Sequence, residues 1–113
     1  MADCLFCTLI ATPKPGFLVL DEPEVVAFRD LHPQAPTHVL VVPRAHFSDL
    51  TAMREKTDVI AKMYAAALSL AKELKIEDGF RTVINCKERG GQTVFHVHLH
   101  LLGGKQMGPG LAG

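Results

Sequence analysis

The 113-residue chain has no tryptophan and a single tyrosine, Tyr64. Recognition of a flat ring therefore falls to aliphatic side chains, phenylalanine, Tyr64 or histidine. Three cysteines are too few, and odd in number, for a disulfide scaffold. Neither sign of charge is in excess, with twelve Lys and Arg against twelve Asp and Glu. That balance argues against a basic footprint, so no DNA or RNA partner is expected. No apolar run approaches the ~20 residues that cross a bilayer, so no membrane partner is expected either. The opening MADCLFCTLI puts Asp3 where a secretory signal would need positive charge. With no export signal, a reducing, cytoplasmic location is expected. There is no internal repeat and no low-complexity tract. At 48% hydrophobic and 21% charged residues the composition excludes a disordered chain. The length fits one domain over 1–113, with about 105–113 as a flexible tail.

Punctuation divides the chain. ATPKPG, Ala11 to Gly16, reads as a loop. Phe17 to Leu20 and Val25 to Arg29 are β-prone runs around DEPE, which fits a hairpin. After the loop DLHPQAP, Thr37 to Val42 predicts a third strand. From Asp49 to Lys75 the period changes. Ile60, Met63, Tyr64, Ala67, Leu68, Ala71 and Leu74 recur at three- and four-residue steps, the face of an amphipathic helix capped by Thr57 or Asp58. Phe80 to Cys86 predicts a fourth strand and Thr93 to Leu102 a fifth, the longest, at an edge of the sheet. The order β-β-β-α-β-β predicts an α+β domain, an antiparallel sheet of about five strands with one main helix. An exposed edge strand is usually paired or covered, which favours a dimer.

His96, His98 and His100 fall within five residues at the strand period of two. Val94, His96, His98, His100 and Leu102 are then expected on one face. Phe95, Val97, Leu99 and Leu101 are expected on the other, turned to the helix and core. Alternate Cα atoms on a strand lie roughly 6.5 Å apart, so three imidazoles form a row. Imidazole is both nucleophile and acid near neutral pH. A functional row of this kind binds metal or does catalysis; the bland reading is a polar, solvent-facing row. Cys4 and Cys7 form a C-x-x-C, which alone is half a zinc site, a redox pair or coincidence. No βαβ pattern follows it, which argues against a thioredoxin-like motif. Cys86 lies outside it and reads as a buried thiol.

The run His96-Val-His98-Leu-His100-Leu-Leu resembles the histidine triad pattern, in which apolar residues separate the histidines. Asp30 to His46 (DLHPQAPTHVLVVPRAH), Asn85 and Gly90 to Gly104 (GGQTVFHVHLHLLGG) resemble the Hint-like branch of the histidine triad (HIT) superfamily, nucleoside phosphoramidate hydrolases. The resemblance covers Cys4 to about Met107. It implies a HIT fold, a homodimer, and purine nucleotide ligands such as AMP or GMP derivatives. It implies P–N cleavage of AMP-amide substrates through a covalent nucleotidyl-histidine. His98 would be the nucleophile and His100 its catalytic neighbour beside the phosphate. Asp30 would hold the ribose hydroxyls, with Leu31 against the nucleoside. Asn85, Gly91, Gln92 and Thr93 would complete the nucleotide site. His38 would have a supporting role, and His32 reads as surface.

In zinc-bearing members of the superfamily the C-x-x-C is completed by the His of a P-x-x-H segment and the first triad His. Here those are His46 and His96, so the resemblance implies one structural zinc per chain on Cys4, Cys7, His46 and His96. Hint relatives often carry a Trp-bearing tail after the Q-M pair; this chain ends QMGPGLAG. The alternatives are a dinucleoside polyphosphate hydrolase of the Fhit-like branch, a non-catalytic nucleotide-binding or interaction module, and a zinc protein whose histidines only bind metal.

Overall fold

A computed structural model describes residues 4–109. Two helices and five strands follow in the order α1 (Leu5–Ala11), β1 (Leu18–Asp21), β2 (Val25–Arg29), β3 (Thr37–Pro43), α2 (Thr57–Glu73), β4 (Phe80–Val83) and β5 (Leu99–Gly103). The strands form one antiparallel sheet of order β1-β2-β3-β5-β4.

Alternation along the strands gives the sheet two different faces. Val25, Ala27, Val39, Val41, Leu99 and Leu101 point to α2 and make the main core with its Val59, Met63, Ala67 and Leu70. Val26, Phe28, Leu40 and Val42 point the other way, where Phe6 and Ile10 of α1 cover them. Both faces of β2 and β3 are therefore dry, which is why VVAF and VLVV read as unbroken apolar runs. No helix among the described residues is long and apolar enough to cross a membrane.

Several expectations need correction. The first strand starts at Leu18 rather than Phe17, and the fourth ends at Val83 rather than Cys86. Of the stretch Thr93 to Leu102 the strand takes in only the last four residues, running as Leu99–Gly103. It lies between β3 and β4, not at an edge. Residues 93–98 run outside the ladder, and Phe95 turns outward, 50% exposed, instead of joining Val97, Leu99 and Leu101 in the core. The main helix also buries a stripe displaced from the expected one. Val59, Met63, Ala66 and Leu70 face the sheet, while Tyr64 and Leu68 are exposed. The helix carries two adjacent apolar rows, and only one fits against a single sheet. Cys86 is half-buried rather than buried. The expected flexible tail, about 105–113, falls partly at residues 110–113, outside the described residues. Its described portion follows β4, where Arg81 Nη2 donates to the Gly108 carbonyl.

Helix α1 was not expected. Cys4 caps it, its Sγ accepting from the Cys7 N–H at 3.3 Å.

At the end of β5, Gly103 is packed against Ile76. A Cβ on Gly103 would come within 2.8 Å of Ile76 Cδ1 and 2.9 Å of its Cβ. Ile76 is itself buried and has no room to retreat. Gly103→Ala is expected to destabilise the fold by ~1–3 kcal/mol, as overpacked cores do. Urea unfolding should show a lower midpoint at unchanged slope.

Candidate active site and metal centre

Helix α1 delivers Cys4 and Cys7, the segment after β3 delivers His46, and the segment before β5 delivers His96. Their ligand atoms all lie within 4.8 Å of one another. Cys4 Sγ is 3.4 Å from His96 Nδ1, and Cys7 Sγ is 3.5 Å from His46 Nδ1 and 3.6 Å from His96 Nδ1. A tetrahedral zinc with bonds of about 2.3 Å to sulfur and 2.0–2.1 Å to nitrogen separates S from N by about 3.6 Å. The residues therefore fit such an ion. His96 Nε2 lies 2.8 Å from the Pro43 carbonyl. A carbonyl only accepts, so Nε2 carries the proton and Nδ1 is left free to ligate. Burial, chiefly, pushes the His96 imidazolium down and keeps the ring in its neutral, ligating form.

The same one-way logic orders the other histidines. His98 Nδ1 is 2.8 Å from the His96 carbonyl, so Nδ1–H donates and Nε2 keeps its lone pair. The Gln34 backbone N–H donates to His38 Nδ1 at 3.0 Å, so His38 carries its proton on Nε2. That proton is directed at His100 Nδ1, 2.9 Å away, which puts the His100 proton on Nε2. Asp30 Oδ2 lies 3.4 Å from His38 Nε2, while its Oδ1 accepts from the His32 N–H at 2.8 Å. Burial, followed by His98 and His38, pushes the His100 imidazolium down to about 4. His100 is thus a neutral hydrogen-bond donor at neutral pH in the free protein. A bound phosphate would act in the opposite direction.

His98 and His100 have ring centroids 4.9 Å apart. Both line a cleft of about 280 Å³. Leu5, Phe6 and Leu9 of α1 form one wall, Phe28 and Leu31 another, and Asp30 and Thr93 are at its rim. His100 also borders a second hollow of about 210 Å³ with Asn85, Gln34 and His38. A larger cavity, about 670 Å³ between β4 and residues 104–107, contains no histidine or cysteine.

The HIT domain family matches residues 11–107. This chain belongs to the HIT family. It is 39% identical over 114 residues to the purine nucleoside phosphoramidase of Escherichia coli K12, covering 97% of this chain and 94% of that protein. It is 39% identical over 106 residues to a 14 kDa zinc-binding protein of Zea mays, covering 91% and 83%. Among solved structures, a HIT family hydrolase from Clostridium thermocellum superposes with a TM-score of 0.92 at 35% identity, covering 98% of each chain.

Within this HIT chain, the remaining residues named from sequence divide into two groups. Asp30, Leu31, Thr93, His98 and His100 meet at one cleft, and Asn85 meets His100 from the other side. Gly91, at φ +90°, holds the loop in the left-handed region, and a Cβ there would reach 3.9 Å from Asn85 Cγ. Gln92 belongs to the same loop. It is buried, and its amide is committed internally: Oε1 accepts from Lys87 N–H at 2.7 Å, and Nε2 donates to the Ser48 and Val94 carbonyls at 2.7 and 3.0 Å. Its side chain ties the loop to itself and to Ser48. Asp49 pins the same loop by accepting from Lys87 Nζ at 2.8 Å. Lys87, then Thr51, hold its carboxyl down to about 2.

Sequence reasoning missed α1 as a wall and Phe6 as its central residue. Cys4 at the cap, with Phe6 and Ile10 four apart, was the available signal.

Proposed function

We propose that this protein is a purine nucleoside phosphoramidate hydrolase working through a covalent nucleotidyl-His98. One observation carries the reading: His98 has its Nδ1–H committed to the His96 carbonyl, leaving its Nε2 lone pair available beside an apolar cleft rimmed by Asp30 and Thr93. The similarity to a protein named purine nucleoside phosphoramidase supports it.

In this reading the cleft takes the nucleoside between α1 and Leu31, and Asp30 accepts from the ribose hydroxyls. Asn85, Thr93 and the backbone around Gly91 hold the α-phosphate. His98 Nε2 attacks phosphorus, a P–N bond forms to the imidazole, and the P–N bond to the amine breaks. The amine departs with an added proton. The imidazole ring becomes cationic, and the His96 carbonyl facing its Nδ1–H stabilises that charge. With phosphate bound, His100 takes up a second proton; its Nε2–H passes to the departing nitrogen, and the water that attacks in the second step gives a proton back to it. Water then attacks phosphorus, breaks the bond to His98, and releases the nucleoside monophosphate. Cys4, Cys7, His46 and His96 would hold one zinc per chain, with all four positions filled by protein, so it supplies structure and no site for water.

Substrate ranking tests the reading. A dinucleoside polyphosphate needs clustered cations for its longer leaving group. In the loop from Lys87 to Gln92 the cations are Lys87, committed to Asp49, and the exposed Arg89. An AMP or GMP amide is expected to be cleaved with kcat/KM at least ~10-fold above diadenosine tri- or tetraphosphate, about 1.4 kcal/mol of transition-state binding. The reverse order would move the chain to the polyphosphate branch, and no turnover of either would favour a binding module.

We further infer a homodimer. Tyr64 and Leu68 leave an exposed apolar row on α2, and β4 is an open edge of the sheet. Light scattering should give about twice the 12.3 kDa of one chain. A monomer at micromolar concentration would refute it.

A further inference from the structure

The metal centre and the catalytic histidine share parts. We propose that the centre formed by Cys4, Cys7, His46 and His96 positions the nucleotide site: it fixes His98 through the His96 carbonyl and the Phe6 ring, and through α1 it holds one wall of the nucleoside cleft. This rests on the nucleotide-site reading above and assigns the centre a second task besides stability.

Three contacts carry the argument. First, the backbone carbonyl that accepts the His98 Nδ1–H at 2.8 Å belongs to a ligand, His96. Moving His96 toward or away from an ion moves the acceptor that sets the His98 tautomer and ring direction. Second, Phe6 packs edge-on to both rings, with centroids 5.9 Å from His96 and 5.2 Å from His98. One aromatic side chain therefore touches ligand and nucleophile together. Third, Cys4 and Cys7 bracket the start of α1, whose Leu5, Phe6 and Leu9 line the cleft.

Helix α1 has seven residues. A helix of that length does not hold itself in water and takes its position from what it is tied to. Its ties are Phe6 and Ile10, buried on the sheet, and the two sulfurs at its N-terminal end. With the sulfurs bound to the same ion as His46 and His96, the cleft wall and the nucleophile are referred to a single point. Without the ion, the Cys4 and Cys7 sulfurs make only thiol contacts of 3.3–3.6 Å to the Cys7 N–H and to the His46 and His96 rings.

Cys4, Cys7 and Phe6 are positioning residues in this scheme, and so is His96. The coupling is a free energy between two sites, so it is reciprocal.

The test is calorimetric titration of AMP into the full-length protein in three states: zinc-loaded, stripped by chelator with its fold verified by circular dichroism, and resupplied with one equivalent of zinc. AMP should bind the loaded protein, bind the stripped protein at least ~10-fold more weakly, and recover on resupply. Saturating AMP should in turn raise zinc affinity, measured against a chromophoric chelator, by the same factor. Failure of the loaded protein to bind AMP would sink the nucleotide reading itself. Equal AMP affinity in loaded and stripped protein would overturn this inference alone. Should the stripped chain unfold, the zinc-loaded Phe6→Leu variant decides. It should keep its zinc stoichiometry, bind AMP at least ~5-fold more weakly, and show displaced His98 ring-nitrogen resonances. Wild-type affinity and unshifted resonances in that variant would overturn the proposal.

Discussion

Replacing His98 should lower kcat/KM for an AMP amide by at least ~10³-fold, about 4 kcal/mol of lost transition-state stabilisation. Of the three triad histidines, His98 is the one that lines the cleft with an unprotonated nitrogen fixed by a carbonyl on its opposite side: the free Nδ1 of His96 faces Cys4 and Cys7, and the His100 proton is on the nitrogen that His38 leaves free. The choice of replacement matters. The sequence suggests a solvent-lined position that accepts alanine, but His98 is 6% exposed and lies under Phe6. His98→Ala leaves a void, at a cost on the order of 1–3 kcal/mol, so His98→Asn is the cleaner variant. Thermal unfolding of His98→Asn should stay close to wild type while turnover disappears. Mass spectrometry of the wild-type protein quenched with a slow substrate should find one added nucleotidyl group on His98. Retention of most activity in the variant would refute a covalent mechanism.

Loss of the metal centre should have the second largest effect, on stability. Purified protein should contain about one zinc per chain, as a single closed site demands. Cys4→Ser or Cys7→Ser should release it and lower the melting temperature by at least ~10 °C, because binding free energy at such sites is partly folding free energy. Cys4 is the sharper of the two. It is buried, it caps α1 with its sulfur, and its carbonyl accepts from both the N–H and the hydroxyl of Thr8 at 3.1 Å. Near-zero zinc in protein made in zinc-replete medium would refute the site and leave His96 a buried imidazole held by the Pro43 carbonyl.

The histidine spacing was legible because a period of two survives in any extended segment. For the same reason it could not reveal where the ladder begins: Leu99 and His100 pair with neighbours, whereas His96 and His98 hold the same alternation with no strand partner. The apolar runs of β2 and β3 predicted their strands closely, since both faces are covered. Helix α1 was hidden by its length. Seven residues give the helical period one chance to repeat, from Phe6 to Ile10, and its cap is a cysteine rather than the usual Ser, Thr, Asp or Asn. The displaced stripe of α2 has another cause: Ile60, Tyr64 and Leu68 are as periodic as the row that faces the sheet, and periodicity does not say which row is covered. The partners of Gln92 were not legible, because a motif names residue types, not the carbonyls they meet. Its amide is captured by Ser48, forty-four positions away.

His100 and His98 are neighbours in space but not in local stability. His100 belongs to the interior strand of the sheet, opposite Leu40 on one side and Val83 on the other. Freeing it requires opening the sheet, an event that costs nearly the global unfolding free energy. His98 is held by one side-chain bond and by edge-on contacts with Phe6 and His100. Small fluctuations can therefore retune His98 while His100 stays fixed, so with His98 as the proposed nucleophile, catalytic losses from distant substitutions should enter through residues 93–98 long before they disturb His100.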